Sequence, residues 1–194
     1  MSDSVTKRGP EQFDDEWRNL LFGVRRSIRY NARRRRFFDF LRQFTSAIGV
    51  IFGSATFFTL LNKTDPFYPA VAAALVTVFS TIDLVIGTAM KARLHDDLCR
   101  RFIELERQME LATRPIDAPS LAKFTARRLE IEADEPPVHR ILDMMCHNEL
   151  ARAMGYERSH LAYIRFYQRW LAHFFDVQDH NIKTYGELEQ AKSK

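Results

Sequence analysis

The sequence predicts an all-α membrane protein: a two-helix transmembrane hairpin with an amphipathic N-terminal helix and a helical cytoplasmic domain. Three observations predict it. Between Arg42 and Lys91 the only ionisable side chains are Lys63, Asp65, Tyr68 and Asp83. Basic residues crowd both flanks of that apolar region. No segment carries the two-residue alternation of a strand, and sixteen Phe against seven Gly suit helices better than sheets. Whole-chain averages, with 28% charged residues and a mean hydropathy of −0.30, hide this division. A length of 194 residues suffices for a small membrane unit and one cytoplasmic domain.

Residues 1–43 open with a polar segment and continue as a basic cytoplasmic helix from Phe13 to Gln43. Trp17, Leu20, Leu21, Val24, Ile28, Phe37 and Leu41 supply its apolar contacts, and Gly23 is its one point of bending. Residues 44–61 are uncharged and would span about 27 Å as a helix, close to the thickness of a hydrocarbon core. Residues 62–66 (Asn-Lys-Thr-Asp-Pro) read as an extracytoplasmic turn. Residues 67–90 form a second run, about 36 Å long as a helix and broken only by Asp83. One such run would suit the core of a soluble bundle. Two in succession between basic flanks favour a membrane hairpin.

Residues 91–111 extend the helix, with Leu94, Leu98, Phe102, Leu105 and Met109 on one stripe. In the helical domain of residues 112–194, Ser120 is the expected cap of a helix reaching about Ala133. Glu135-Pro136-Pro137 separates it from a helix over Val138–Met154, with Gly155 as C-cap. An aromatic amphipathic helix is expected over Ser159–Val177, turning Leu161, Ile164, Tyr167, Leu171, Phe174 and Phe175 to a core. A short helix is expected in the last fifteen residues. Cys99 and Cys146 read as reduced cytoplasmic thiols.

Arg33, Arg34, Arg35, Arg36 and Arg42 precede the first span, and Lys91, Arg93, Arg100 and Arg101 follow the second. The turn holds Lys63, offset by Asp65. The positive-inside bias therefore puts both termini in the cytoplasm. Some forty polar and charged residues precede the first apolar run, which argues against a cleavable signal peptide.

From Gly23 to Arg42 there are eight Arg and one Asp, a local excess of +7. Set directly against a span, this block reads as a topology anchor on anionic lipid, with Arg33, Arg34, Arg35, Arg36, Arg42, Lys91 and Arg93 as the contacts. Specific nucleic-acid binding, with Tyr30, Phe37 and Phe38 stacking on bases, is the lesser reading.

Inside the spans, Ser46, Gly49, Gly53 and Thr56 form one small-residue face and Ala73, Ser80 and Gly87 another. Such faces let helices approach closely, either within the hairpin or between subunits of a homo-oligomer. Asp83, on a face with Ser80 and Gly87, is an intramembrane acid. It lines a cation path in an oligomer, or hydrogen-bonds a hydroxyl such as Thr45 or Ser46 across the hairpin.

Catalytic signals are weak. His139, Asp143 and His147 lie four apart, beside Cys146 and Glu149, a spacing that can hold a metal but equally suits a polar helix face. The acidic stretch Glu130–Glu135 most simply pairs with Arg127 or Arg128. No phosphate-binding glycine loop, nucleophile elbow or CxxC pair is present. No catalytic residue, metal or cofactor is assigned.

The layout over residues 17–111 resembles the SLATT family of bacterial two-transmembrane effectors (SMODS- and SLOG-associating). The residues that carry the likeness are Arg25-Arg-Ser-Ile-Arg-Tyr30, Arg33-Arg-Arg-Arg-Phe-Phe38 and Ala92-Arg-Leu-His95. The resemblance implies an antiviral defence effector that oligomerises and perforates the inner membrane when a nucleotide-sensing partner protein is triggered. A non-conducting scaffold or superinfection-exclusion protein, recruiting partners through residues 112–177, is the alternative. An enzyme built on residues 130–149 is the weakest.

Overall fold

The computed structural model describes residues 10–61, 65–174 and 182–192. The polar segment before Pro10, Lys63 of the turn, and Phe175 and Val177 of the expected aromatic helix lie outside the described residues. Among the described residues every regular element is helical: α1 Pro10–Leu61, α2 Phe67–Ile86, α3 Thr88–Glu110, α4 Ala118–Glu132, α5 Arg140–Ala153, a 3₁₀ turn Arg158–His160, α6 Phe166–Leu171 and α7 Tyr185–Lys192. The chain divides into two compact units, residues 1–32 with 97–194 (the core unit) and residues 33–96 (the apolar unit).

In the core unit, Trp17, Leu20 and Val24 of α1 are buried together with Leu98, Phe102, Leu105 and Met109 of α3 and Leu121, Phe124 and Ile131 of α4. The stripe expected on residues 91–111 thus holds from Leu98 onward, while Leu94 is exposed. Trp17 meets Phe124 edge-on, with ring centroids 5.3 Å apart. A second cluster joins Tyr30, Ile141, Leu142, Cys146 and Ala172. Burying one such large apolar side chain contributes roughly 1.5–3 kcal/mol. Both cysteines are free thiols and buried. Gly23 is a point of close approach, since an added Cβ would fall 2.5 Å from the Arg128 guanidinium.

Three expectations for the core unit need correction. Asp117, not Ser120, caps α4: its carboxylate accepts the Ser120 N–H at 3.0 Å, and Ala118 and Pro119 supply the first turn. Second, α5 starts at Arg140 with His139 as its cap residue, so the Pro-Pro pair is followed by two residues outside the helix. Gly155 does take the left-handed conformation expected of a C-terminal glycine, at φ 82°.

The third correction is larger, because among the described residues no single helix runs on from Ser159: a 3₁₀ turn, an extended stretch and the short α6 take its place. The buried Asn148 side chain accepts the Ala162 N–H at 2.9 Å and donates to the Ala162 carbonyl at 2.7 Å, which removes both from helical use. Ala162 instead forms an isolated antiparallel bridge with Thr184. Helix α6 begins only where the Gln168 side chain accepts the Arg165 N–H at 2.9 Å. Leu161 is buried as expected, but Tyr167 and Phe174 are exposed, as are Phe166 and Trp170. The short terminal helix is present as α7.

In the apolar unit, α1 runs on through residue 43 without a break, so the expected boundary there is one of composition only. Asp65 organises the start of α2 by accepting the Phe67 N–H at 2.9 Å. Helix α2 ends at Ile86, short of Met90. Gly87 takes φ 66° and ψ 46°, a left-handed conformation that glycine adopts without a Cβ penalty, and α3 begins at Thr88.

Candidate functional site

One helical stretch among the described residues, Phe67–Glu110, is long and apolar enough to cross a membrane, and only 6% of its most apolar window is buried. Its sheltered positions, Pro69, Ala72, Val76, Phe79, Asp83 and Ile86, recur every three or four residues and form one helix face. Phe79 on this face meets Phe44 of α1 edge-on, centroids 6.3 Å apart. Around it the helix is bare: Leu84 is 82% and Val85 80% exposed. On α1, Val50, Ile51, Phe57 and Phe58 are exposed as well.

This arrangement revises the small-residue faces. Ala73 and Ser80 are exposed, away from the sheltered face. A Cβ added to Gly49, Gly53 or Gly87 would meet nothing within 4 Å, so none of these glycines serves a close approach of another described helix. Ser46 is exposed, and Thr56 is half-buried with its hydroxyl donating to the Phe52 carbonyl at 2.8 Å. Gly87 is instead the break between α2 and α3.

Asp83 does accept from a hydroxyl, but not from Thr45 or Ser46. Its donor is Thr88 Oγ1 at 2.5 Å, with Thr88 buried. The pair bridges the Gly87 break on consecutive helices. A Thr five residues after an Asp lies off the same helix face, so only the left-handed turn brings the two together. That glycine, immediately before a helix with no Pro or Gly, was the available signal.

The basic residues separate into distinct roles. Arg34 is buried, its guanidinium 4.6 Å from the Phe38 ring centroid and 5.7 Å from that of Phe37. Lys91 lies over the same Phe38 ring at 5.6 Å, and the buried His95 stacks on it at 5.8 Å. Phe38 is thus a hub for three basic side chains. Arg34 accordingly turns inward rather than to a headgroup. Arg35 pairs with Asp96 at 2.6 Å and Asp39 at 3.6 Å. Arg33 is half-buried, while Arg36, Arg42 and Arg93 are exposed. Between α1 and α3 in this unit lies a cleft of about 240 Å³, lined by Arg35, Asp39, Arg42, Ala89, Ala92, Arg93 and Asp96.

In the core unit the early arginines are ion-paired. Arg25 binds Glu106 and Glu110, each at 2.6 Å, and Arg26 Nε lies 3.2 Å from Asp143 Oδ1. Tyr30 is buried, its hydroxyl accepting the His139 N–H at 3.0 Å, so it is not available for base stacking. Asn31 donates to Glu135 at 2.7 Å. Burial raises the carboxyls of Glu135 and Asp143 and lowers the His147 imidazole. His147 packs against the Phe22 ring, centroids 5.1 Å apart, and His139 precedes α5. The His139–Asp143–His147 row therefore does not converge, and among the described residues no group of three or more His, Cys, Asp or Glu is placed to hold a metal. In the acidic stretch, Arg127 pairs with Glu130 at 2.6 Å and Arg128 with Glu132 at 2.7 Å, as expected, while Asp134 pairs with Arg101 at 2.6 Å.

No protein-family model matches this chain, and no curated protein or solved structure matches it significantly.

Proposed function

We propose that the chain is a two-pass effector of a bacterial inner membrane, with residues 44–61 and 67–90 as the spans and both termini cytoplasmic. One observation carries this reading: the least charged part of the chain is also where large apolar side chains stand uncovered. At about 25 cal/mol per Å², that much apolar surface in water is costly, and lipid removes the cost. The mechanism is oligomerisation into a pore or membrane lesion, through faces that the hairpin itself leaves open. Gly49, Gly53 and Ser46 on α1, with Ala73 and Ser80 on α2, are the surfaces for a second copy. Asp83 is the intramembrane acid beside the permeation path. The resemblance to SLATT effectors supports antiviral defence as the setting, with a nucleotide-sensing protein as the trigger.

Induced expression should collapse the membrane potential, read by a potential-sensitive dye. Gly53→Leu should blunt the collapse, because the side chain has room in the single hairpin and obstructs only a neighbour. Asp83→Asn keeps an acceptor for Thr88 while removing the charge, and should alter cation selectivity. Growth arrest with the potential intact would instead support the non-conducting scaffold. Exposed Phe166, Tyr167 and Trp170 offer that reading a partner-recruiting surface.

A further inference from the structure

The geometry points to a phosphate-binding site in the cleft between α1 and α3 of the apolar unit, with Arg42 and Arg93 as its ligands and an anionic lipid headgroup as the source of the phosphate. The cleft walls carry three Arg and two Asp, a net charge of 3 − 2 = +1. Both carboxylates are engaged by Arg35, at 2.6 Å from Asp96 and 3.6 Å from Asp39. Arg35 is thereby neutralised, and the acids are not offered to the other two cations. Among the described residues, the guanidinium groups of Arg42 and Arg93 have neither an ion pair nor a hydrogen-bond acceptor. Two guanidinium forks without a direct partner among the described residues thus line one cavity of net charge +1, whose remaining wall is Ala89 and Ala92.

Those alanines leave the space that a longer side chain would fill. Guanidinium groups match phosphate oxygens in bidentate geometry, a fit that Lys lacks. Size decides the class of ligand. About 240 Å³ is below the roughly 300–1,000 Å³ of pockets for drug-sized molecules. It suits a phosphate with a short polyol rather than a nucleotide. Phe40 and Met90, next in the chain to Asp39 and Ala89, are both exposed and apolar, and would meet the acyl region of such a lipid.

The lipid source rests on the proposed hairpin; the phosphate chemistry does not. The full-length chain, purified in a neutral maltoside, is mixed with phosphatidylglycerol, diacylglycerol or glycerol 3-phosphate, and bound adducts are measured by native mass spectrometry. Phosphatidylglycerol should bind and diacylglycerol should not. In Arg42→Gln/Arg93→Gln, retention should fall about tenfold or more, as expected for losing charge-assisted contacts. Lys123→Gln, an exposed cation of the core unit, should bind as the parent does. Glycerol 3-phosphate bound as tightly as the lipid, with the same dependence on both arginines, would retain the phosphate site and make a soluble anion its occupant. Equal retention of phosphatidylglycerol and diacylglycerol, or an unaffected double variant, overturns the site. Carbonate extraction of membranes reports separately on the hairpin: release of the parent chain sinks the membrane reading and leaves the glycerol 3-phosphate arm to judge the cleft.

Discussion

Helix α3 and helix α2 treat the same kind of side chain in opposite ways. On α3, Leu98, Phe102, Leu105 and Met109 are almost wholly buried against α1 and α4. On α2, Val78, Ile82, Leu84 and Val85 are exposed, and only a face from Pro69 to Ile86 is sheltered. Apolar residues on α3 alternate with charged ones at helical spacing, whereas on α2 Asp83 is the one charged side chain. A helix polar on one side finds its core within the chain; one apolar all round must find its cover outside it. The arginine block divides in the same way. Arg25 and Arg26 meet acids of α3 and α5, while Arg42 and Arg93 form no ion pair among the described residues.

Four perturbations break or sharpen that contrast. Phe102→Ala should cost about 3–5 kcal/mol of core-unit stability in chemical denaturation. Phe57→Ala, at an exposed position, should leave the same transition unmoved; equal losses would erase the distinction. Val78→Arg should shift the insertion equilibrium by about 2.5–3.5 kcal/mol against the membrane, seen as a larger carbonate-extractable fraction. If α2 belongs in water, that substitution should instead improve solubility without changing extraction. Asn148→Ala strips both partners from the buried Ala162 backbone and should cost about 2–3 kcal/mol, with faster proteolysis after residue 158. Carbonate extraction should not respond to it.

The smallest effect is on pH dependence. Burial holds the His147 imidazole below its usual range, so the folded chain binds fewer protons there than the unfolded chain does. His147 therefore contributes stability that is complete above pH 6.5 and lost as the pH falls through its depressed folded value. Glu135 and Asp143 are raised by burial, so their contribution has the opposite sign: full below their unfolded values and lost as the pH rises through the folded ones. Between pH 7.5 and 5.5, His147→Gln should lessen the acid loss by a Tm change of order 1–2 °C, since the ring is only partly buried. A larger loss in the variant would reverse the assignment.

Long-period patterns were the legible part of this protein. Trp17, Leu20, Val24 and the stripe from Leu98 to Met109 reach their core because periodicity alone selects a helix face. The corrections cluster where one side chain captures a backbone group from a distance. Asn148 clamps Ala162 fourteen residues away, and nothing in the local pattern around Ser159 reports that. Asp117 outcompetes Ser120 through the position of its carboxylate, a choice settled by the Ala-Pro pair that follows. In the candidate site, the acid at Asp83 was visible as a charge amid apolar residues, but its Thr88 partner depends on a backbone reversal of sign that glycine adopts without strain.

That reversal makes position 87 a handedness test. An L-alanine there would be strained by roughly 1–2 kcal/mol, although its methyl group has open space around it. A D-alanine introduced by peptide ligation carries the same methyl with mirror-image stereochemistry and should settle without strain. Matching the two epimers would separate the chirality of the joint from its size, something no ribosomally made variant can do.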